Sequence, residues 1–185
     1  IPVVTTLMGI GASDTTQPLS LHMLGMHGMA YANYAVDDCD FLICVAARFD
    51  DRVAGVPKKF APRAMAIAHF DIDVSEIGKV KSAQWHHVGA LTEALNEITD
   101  FGVERNFRLH LRDWHKHVAK LQKEYGLNYD RDSALIQPYH VIETLNDLTK
   151  GEAIVSTGVG QHQMWAAQYF DYKHPRHWLT SGSIG

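Results

Sequence analysis

The chain has 185 residues, too many for one small domain and too few for two complete ones. Its 46% apolar content suits a globular core, and 17 Lys and Arg against 21 Asp and Glu leave a net charge of −4, which excludes the basic footprint of a nucleic-acid or anionic-membrane binder. The two cysteines, Cys39 and Cys44, make neither a disulfide framework nor a zinc spacing, and no apolar run approaches a membrane span, so small-molecule chemistry remains.

Val3 to Leu7 is apolar and β-branched and reads as a strand. The opening Ile1-Pro2-Val3-Val4 carries neither an initiator Met nor a charged signal region, which suggests a chain that begins inside a domain. Met29 to Val36 is a short helix opened by Gly28, Phe41 to Ala46 a continuous apolar strand, Ala66 to Ile72 another strand, and Leu91 to Ile98 a helix. Such alternation predicts a doubly wound α/β domain, a parallel sheet with helices on both faces and ligands at the carboxyl ends of its strands.

From Val103 the pattern becomes one long amphipathic helix, with Phe107, Leu111, Trp114, Val118, Leu121 and Tyr125 on a single packing stripe and Gly126 as its stop. Asn128 to Gln137 is a polar linker. Pro138 opens a helix to Thr149, with Val141, Leu145 and Leu148 predicted inward. Ala153 to Val155 is a strand that runs through a glycine turn directly into a helix. The final Ser181-Gly182-Ser183-Ile184-Gly185 is a glycine-rich turn with no helix after it, so the sequence is expected to be a fragment of a longer protein. The expected domains are 1–102, a linker at 103–137, and 138–185.

The turn Gly158-Val159-Gly160 followed by Gln161 and His162 has the order of an anion site, because glycines allow a sharp turn and the first helical amides face the strand end. A Gly-x-Gly in this place also occurs where nothing binds, and the third glycine of a dinucleotide fingerprint and the Lys-Ser/Thr of a P-loop are both missing. Arg48-Phe49-Asp50-Asp51-Arg52 reads either as a self-compensating surface ion-pair cluster or as a ligand loop at a strand end. Asp71 and Asp73 suit a ribose partner or a turn cap. The twelve histidines show no metal-ligand spacing; His110, His115 and His117 read as a solvated helix face, and His86-His87 as structural.

Gly-Val-Gly-Gln-His-Gln-Met-Trp-Ala-Ala-Gln from Gly158, then Lys173-His174-Pro175-Arg176-His177-Trp178-Leu179-Thr180-Ser181-Gly182, resembles the start of the thiamine-diphosphate domain of acetolactate synthase (acetohydroxyacid synthase) large subunits. Earlier segments resemble successive FAD loops of the same family's central domain: Thr5-Thr6-Leu7-Met8-Gly9, Leu24-Gly25-Met26-His27-Gly28, Ala47 to Val53, and His69 to Asp73 with Glu76-Ile77-Gly78-Lys79. The resemblance runs nearly end to end.

It implies that residues 1–102 are a central FAD-binding domain lacking its first strand and helix, and that 138–185 begin a thiamine-diphosphate-binding α/β domain. By residue, it implies flavin contacts at Thr6, Leu7, Met8, Gly25, His27, Arg48, Asp51, Arg52, Val53, Asp71 and Ile72, and thiamine-diphosphate contacts at Val159, Gly160, Gln161, His162 and Gly185. The family's catalytic glutamate and its magnesium motif have no counterpart here, so no catalytic residue and no metal ligand is assigned, although Mg2+ is implied with the diphosphate. Three positions depart from the family pattern: Ala46 and Ser183 stand where glycine is usual, and Ala90 where aspartate is common.

The implied reaction is condensation of pyruvate, after decarboxylation, with a second pyruvate or with 2-ketobutyrate, in branched-chain amino acid synthesis. A homodimer or homotetramer, a possible regulatory small subunit and a cytoplasmic or plastid location are implied with it. Two alternatives stand beside this reading: a sister thiamine enzyme of glyoxylate carboligase or pyruvate oxidase type, and a non-catalytic nucleotide-binding module.

Overall fold

The computed structural model describes residues 1–182. It mixes strands and helices, with three of the α-helices in direct succession, and every strand pairing among the described residues is parallel. Packing divides the chain into two compact units, one of Ile1–Asn33 with the residues from His115 onward, the other Tyr34–Trp114. These cuts fall elsewhere than the boundaries expected at 102 and 137, because the first two strands share a hydrophobic cluster with the elements near the carboxyl end.

In the first unit β1 (Val3–Thr5) pairs with β2 (Ser20–Met23). Partnership moves from Val3↔Ser20 to Thr5↔Met23, so β2 carries one extra residue, and His22 absorbs the bulge with a left-handed φ of 58°. A second pair joins β6 (Val155–Thr157) to β7 (Trp178–Thr180). The core joins these elements: Ile10, Met23, Ala166, Ala167, Phe170, Tyr172 and Trp178 are buried together, with Leu7, Ile142, Val155 and Met164 packed against them. At about 25 cal/mol per Å² of apolar surface, this burial is the main force holding the unit together.

The second unit is built on a three-stranded sheet in the order β3-β4-β5, with β3 Phe41–Val45, β4 Ala66–Asp71 and β5 Trp85–Val88. Pairing is regular, from Phe41↔Ala66 to Val45↔Phe70. Phe49 is buried edge-to-face against Phe60 and against the His69 ring, at centroid distances of 5.7 and 5.0 Å. One continuous sheet was expected through the first hundred residues. The structure has two separate sheets there, since no strand hydrogen-bonds to the outer edge of β3 among the described residues.

The helices are α1 (Ala30–Asp38), α2 (Leu91–Glu104), α3 (Arg112–Tyr125), α4 (Pro138–Thr149) and α5 (Gln161–Tyr169). The single long helix expected from Val103 is replaced by the end of α2, an irregular stretch and then α3. Asn106 is the reason: it takes φ 49°, the left-handed conformation that asparagine tolerates and that ends a helix. Of the expected stripe, Val118 and Leu121 are buried, whereas Phe107 lies in the break and is exposed. In α4 the expected inward residues Val141, Leu145 and Leu148 are exposed instead. The helix turns its other side to α5, with Tyr139 at 4.9 Å from Tyr169 and 5.9 Å from Trp165, centroid to centroid, and Ile142 in the core. Aromatic stacking and an Asn146 contact to Asp171 decide the orientation over the more apolar stripe.

Candidate functional site

The strand β6 leads through Gly158-Val159-Gly160 into α5. Gly160 is the N-cap of α5 with φ 150° and offers no side-chain cap, so the first helical amides have no side chain to receive them there. The helical bonds begin later, with the amides of Gln163 and Met164 donating to the carbonyl of Gly160. A Cβ on Gly160 would stand 3.0 Å from the Cε1 and Nδ1 atoms of His162, an exposed side chain that can give way, so it is the positive φ that favours glycine here. Val159, Gln161 and His162 are exposed around this uncapped end. The four residues expected at the diphosphate end can thus be placed, whereas Gly185, expected near the cofactor ring, lies outside the described residues. This end of α5 carries the positive pole of the helix dipole and no carboxylate among the four side chains, an arrangement that could receive a small anion.

Gln163, next in the helix, was not singled out from sequence, yet it ties the first turn of α5 to β7 and the residue after it. It is buried to 1% exposure, and its Nε2 donates to Thr180 Oγ1 at 2.6 Å and to the Ser181 carbonyl at 2.9 Å. Thr180 in turn lies 2.7 Å from Thr157, hydroxyl to hydroxyl, so a polar thread joins α5, β7 and β6 at the strands' carboxyl ends. The only sequence signal was its place inside Gly-Gln-His-Gln-Met-Trp.

The expected flavin residues of the first unit sit on two loops at strand carboxyl ends. Thr6 precedes a 3-10 turn over Leu7–Gly9, and Met8 projects from it at 62% exposure. Gly25 and His27 lie in the loop after β2. Asn33 clamps that loop by accepting from the Gly25 amide at 2.8 Å and donating to its carbonyl at 3.0 Å. Gly28 has no room for a Cβ, which would overlap the Met23 carbonyl. His27 is exposed.

In the second unit, Arg48, Asp51 and Arg52 are exposed and Val53 half-buried in the loop after β3. Arg48 faces Asp50 at 3.8 Å, a surface pair of small stabilising value, and Asp50 Oδ1 accepts from the amides of Arg52 and Val53 at 3.1 Å each. The loop is therefore shaped by Asp50, which was not among the expected contacts. Its first carbonyl, that of Ala47, receives the Cys44 thiol at 2.9 Å. Burial first, then the nearby Asp71 charge, pushes the Cys44 thiol up to about 12 against a lowering hydrogen bond, so it is inert.

Asp71 closes β4, buried at 7% exposure, with Oδ1 accepting from the Asp73 amide at 2.9 Å. Asp73 caps the next 3-10 turn by accepting from Ser75, and those hydrogen bonds hold its carboxyl below the usual range. The cap reading suits Asp73. Ile72 between them is 77% exposed. His69, fully buried, lies 4.0 Å from Asp71 through Nε2. No group of three or more potential metal ligands occurs among the described residues. No helix among them is long and apolar enough to cross a membrane.

Comparison with known proteins gives two family matches. The family described as "Thiamine pyrophosphate enzyme, central domain" matches residues 1–98, and "Thiamine pyrophosphate enzyme, C-terminal TPP binding domain" matches residues 158–185. Among curated proteins, Acetolactate synthase 2, chloroplastic, of Zea mays is 47% identical over 188 residues, covering 100% of this chain and 29% of that protein. Acetolactate synthase 2, chloroplastic, of Nicotiana tabacum is 48% identical over 191 residues, covering 100% and 28%. Acetolactate synthase, chloroplastic, of Arabidopsis thaliana is 46% identical over 188 residues, again covering 100% and 28%. The chain spans less than a third of the length of these relatives.

Proposed function

From the premise that the chain belongs to the thiamine pyrophosphate enzymes, we propose that it is the flavin-domain and early thiamine-domain portion of an acetolactate synthase catalytic subunit. Identity near 47% along its whole length to proteins named for that activity supports the reading. The uncapped α5 end at Gly160 is the structural observation that carries it.

In the reaction, pyruvate loses carbon dioxide, and the two-carbon unit joins a second pyruvate or a 2-ketobutyrate. Thiamine diphosphate, when bound, supplies the electron sink for that carbon–carbon cleavage. The chain's own part is to bind and orient. Val159, Gly160, Gln161 and His162 receive the diphosphate at the α5 amides, and Gln163 holds those amides against β7. Gly185 is proposed to lie near the cofactor ring. Mg2+ is proposed to accompany the diphosphate on ligands outside the described residues.

FAD contacts are proposed for each unit taken separately. In the first unit they are Thr6, Leu7, Met8, Gly25 and His27; in the second, Arg48, Asp51, Arg52, Val53, Asp71 and Ile72. A cationic Arg48 suits a phosphate, and a carboxylate at the end of β4 suits a ribose hydroxyl. Domain boundaries at 102 and 137 stay part of this proposal.

The protein is proposed to assemble as a homodimer or homotetramer, with a regulatory small subunit as a further partner. The named relatives are chloroplastic, which sets a plastid beside the cytoplasm as the compartment, to be decided by immunolocalisation.

The test is product analysis with the full-length protein supplied with pyruvate, thiamine diphosphate, Mg2+ and FAD. Acetolactate is expected. In parallel assays, tartronate semialdehyde from glyoxylate, or acetyl phosphate from pyruvate, inorganic phosphate and oxygen, would assign a sister enzyme instead. The 185-residue chain alone is expected to form no acetolactate.

A further inference from the structure

Two loops in the first unit are held by side chains from the distant end of the sequence. Trp178 of β7, buried at 7% exposure, donates its Nε1–H to the Leu7 carbonyl at 2.8 Å, across 171 positions. Gln168 of α5 donates through Nε2 to the His27 carbonyl at 2.8 Å, across 141 positions. Gly182 lies close to the first of these loops, where an added Cβ would stand 3.1 Å from the sulfur of Met8. Leu7 also packs on the cluster that contains Ala166, Ala167, Phe170 and Trp178.

Each bond starts on an element of the diphosphate cradle. Trp178 shares β7 with Thr180, which receives Gln163, and Gln168 rides on α5, whose first turn is the cradle itself. Each ends on a carbonyl of a loop whose other residues are read as flavin contacts. Neither bond belongs to a strand ladder or a helix, so neither is needed to complete secondary structure. Their strength depends on where the two loops stand.

We propose that Trp178 and Gln168 are positioning residues that couple the two cofactors: ordering of the Leu7 and His27 loops by flavin sets β7 and α5, and each cofactor raises the affinity of the other. This rests on the cofactor assignments proposed above. Linkage makes the effect reciprocal, so one factor describes both directions, and factors of about 5 to 150 are usual between coupled sites.

The experiment uses the full-length protein stripped of both cofactors. Thiamine diphosphate with Mg2+ is titrated by calorimetry with and without saturating FAD, and FAD is titrated by its fluorescence with and without thiamine diphosphate. The native protein should show an affinity ratio of about 5 or more, equal in the two directions. Trp178→Phe keeps the ring and removes the donor; Gln168→Leu removes the other. The double variant should still bind each cofactor, with the ratio near one. A purely structural role would instead lower affinity for both cofactors and leave the ratio alone. Gln168 is only half-buried, so Gln168→Leu alone carries the test if Trp178→Phe fails to fold, and should reduce the ratio at least twofold. A native ratio of one, or an unchanged ratio in the variants, overturns the coupling while leaving the cofactor assignments intact. Failure of the native protein to bind FAD overturns the flavin assignment and this inference together.

Discussion

Gln163 and Thr180 meet at 2.6 Å, amide nitrogen to hydroxyl, in a part of the first unit where Gln163 is almost wholly shielded from water. A buried amide has no solvent to fall back on, so its two bonds to β7 are worth more to the fold than exposed ones. Gln163→Leu keeps the bulk and leaves Thr180 and the Ser181 carbonyl without that donor. We expect a loss of about 1–3 kcal/mol of stability by denaturant unfolding. The affinity for thiamine diphosphate should fall with it, because the first turn of α5 loses its anchor. Unchanged stability would mean that β7 does not hold the helix.

Gly160 gives a sharper test of the cradle itself. Its φ of 150° is strained for any other residue, and a Cβ would in addition displace the His162 ring 3.0 Å away. Gly160→Ala must therefore rotate the backbone that aims the first α5 amides. Thiamine-diphosphate binding, read by calorimetry on the full-length protein, should weaken at least tenfold, about 1.4 kcal/mol. FAD binding should change by no more than the coupling factor.

Much of this site was readable from residue order, and the rest failed for local reasons. The β6–turn–α5 unit could be found because glycines at 158 and 160 separate an apolar strand from a helix without other punctuation. Strands β2 and β7 were not anticipated. In β2, the bulge at His22 breaks the period of two that a strand normally shows, and β7 is only three residues long. The α4 face was assigned to the wrong side because Val141, Leu145 and Leu148 repeat at helical spacing, while the true packing side mixes Tyr139, Ile142 and Asn146. Hydropathy cannot weigh aromatic stacking and amide bonds against an aliphatic stripe. The bonds of Trp178 and Gln168 span the chain, so no local pattern announces them.

Ala46 sits in the left-handed region at φ 48°. An L-residue there costs about 1–2 kcal/mol, whereas glycine adopts it freely. Ala46 is exposed, so its methyl contributes little packing. The greater freedom of glycine in the unfolded chain offsets part of the gain. Ala46→Gly should therefore stabilise the second unit by about 0.5–1 kcal/mol, seen as a higher denaturation midpoint at unchanged slope. A lower midpoint would show that the strain is not released.

Both thiols should be sluggish. Burial, with Asp40 and Asp37 nearby, pushes Cys39 up to about 11, and burial pushes Cys44 up to about 12. Only the thiolate attacks, so at pH 8 alkylation by iodoacetamide should run about 10²-fold slower at Cys39 and about 10³-fold slower at Cys44 in the folded protein than in denaturant, where thiols titrate near 8.5. Mass spectrometry of timed samples reads this directly. Rapid modification of Cys44 in the native protein would contradict its burial.

Asp14 supplies an acid-sensitive contribution. The Thr16 hydroxyl donates to its Oδ1 at 2.6 Å, Gln17 to Oδ2 at 2.9 Å and the Thr16 amide to Oδ1 at 2.9 Å. Those bonds, led by the Thr16 hydroxyl, lower the carboxyl from 3.8 to about 2. A folded-state value below the unfolded one stabilises the fold above about 3.8, and that contribution disappears as pH falls through about 2. The Thr16 amide resonance should accordingly titrate with a midpoint near 2 rather than near 4. Asp14→Asn should be less stable than the native protein at neutral pH, and the difference should shrink steadily below about pH 4. A difference that stays constant down to pH 2 would show that the charge on Asp14 has no part in holding this turn.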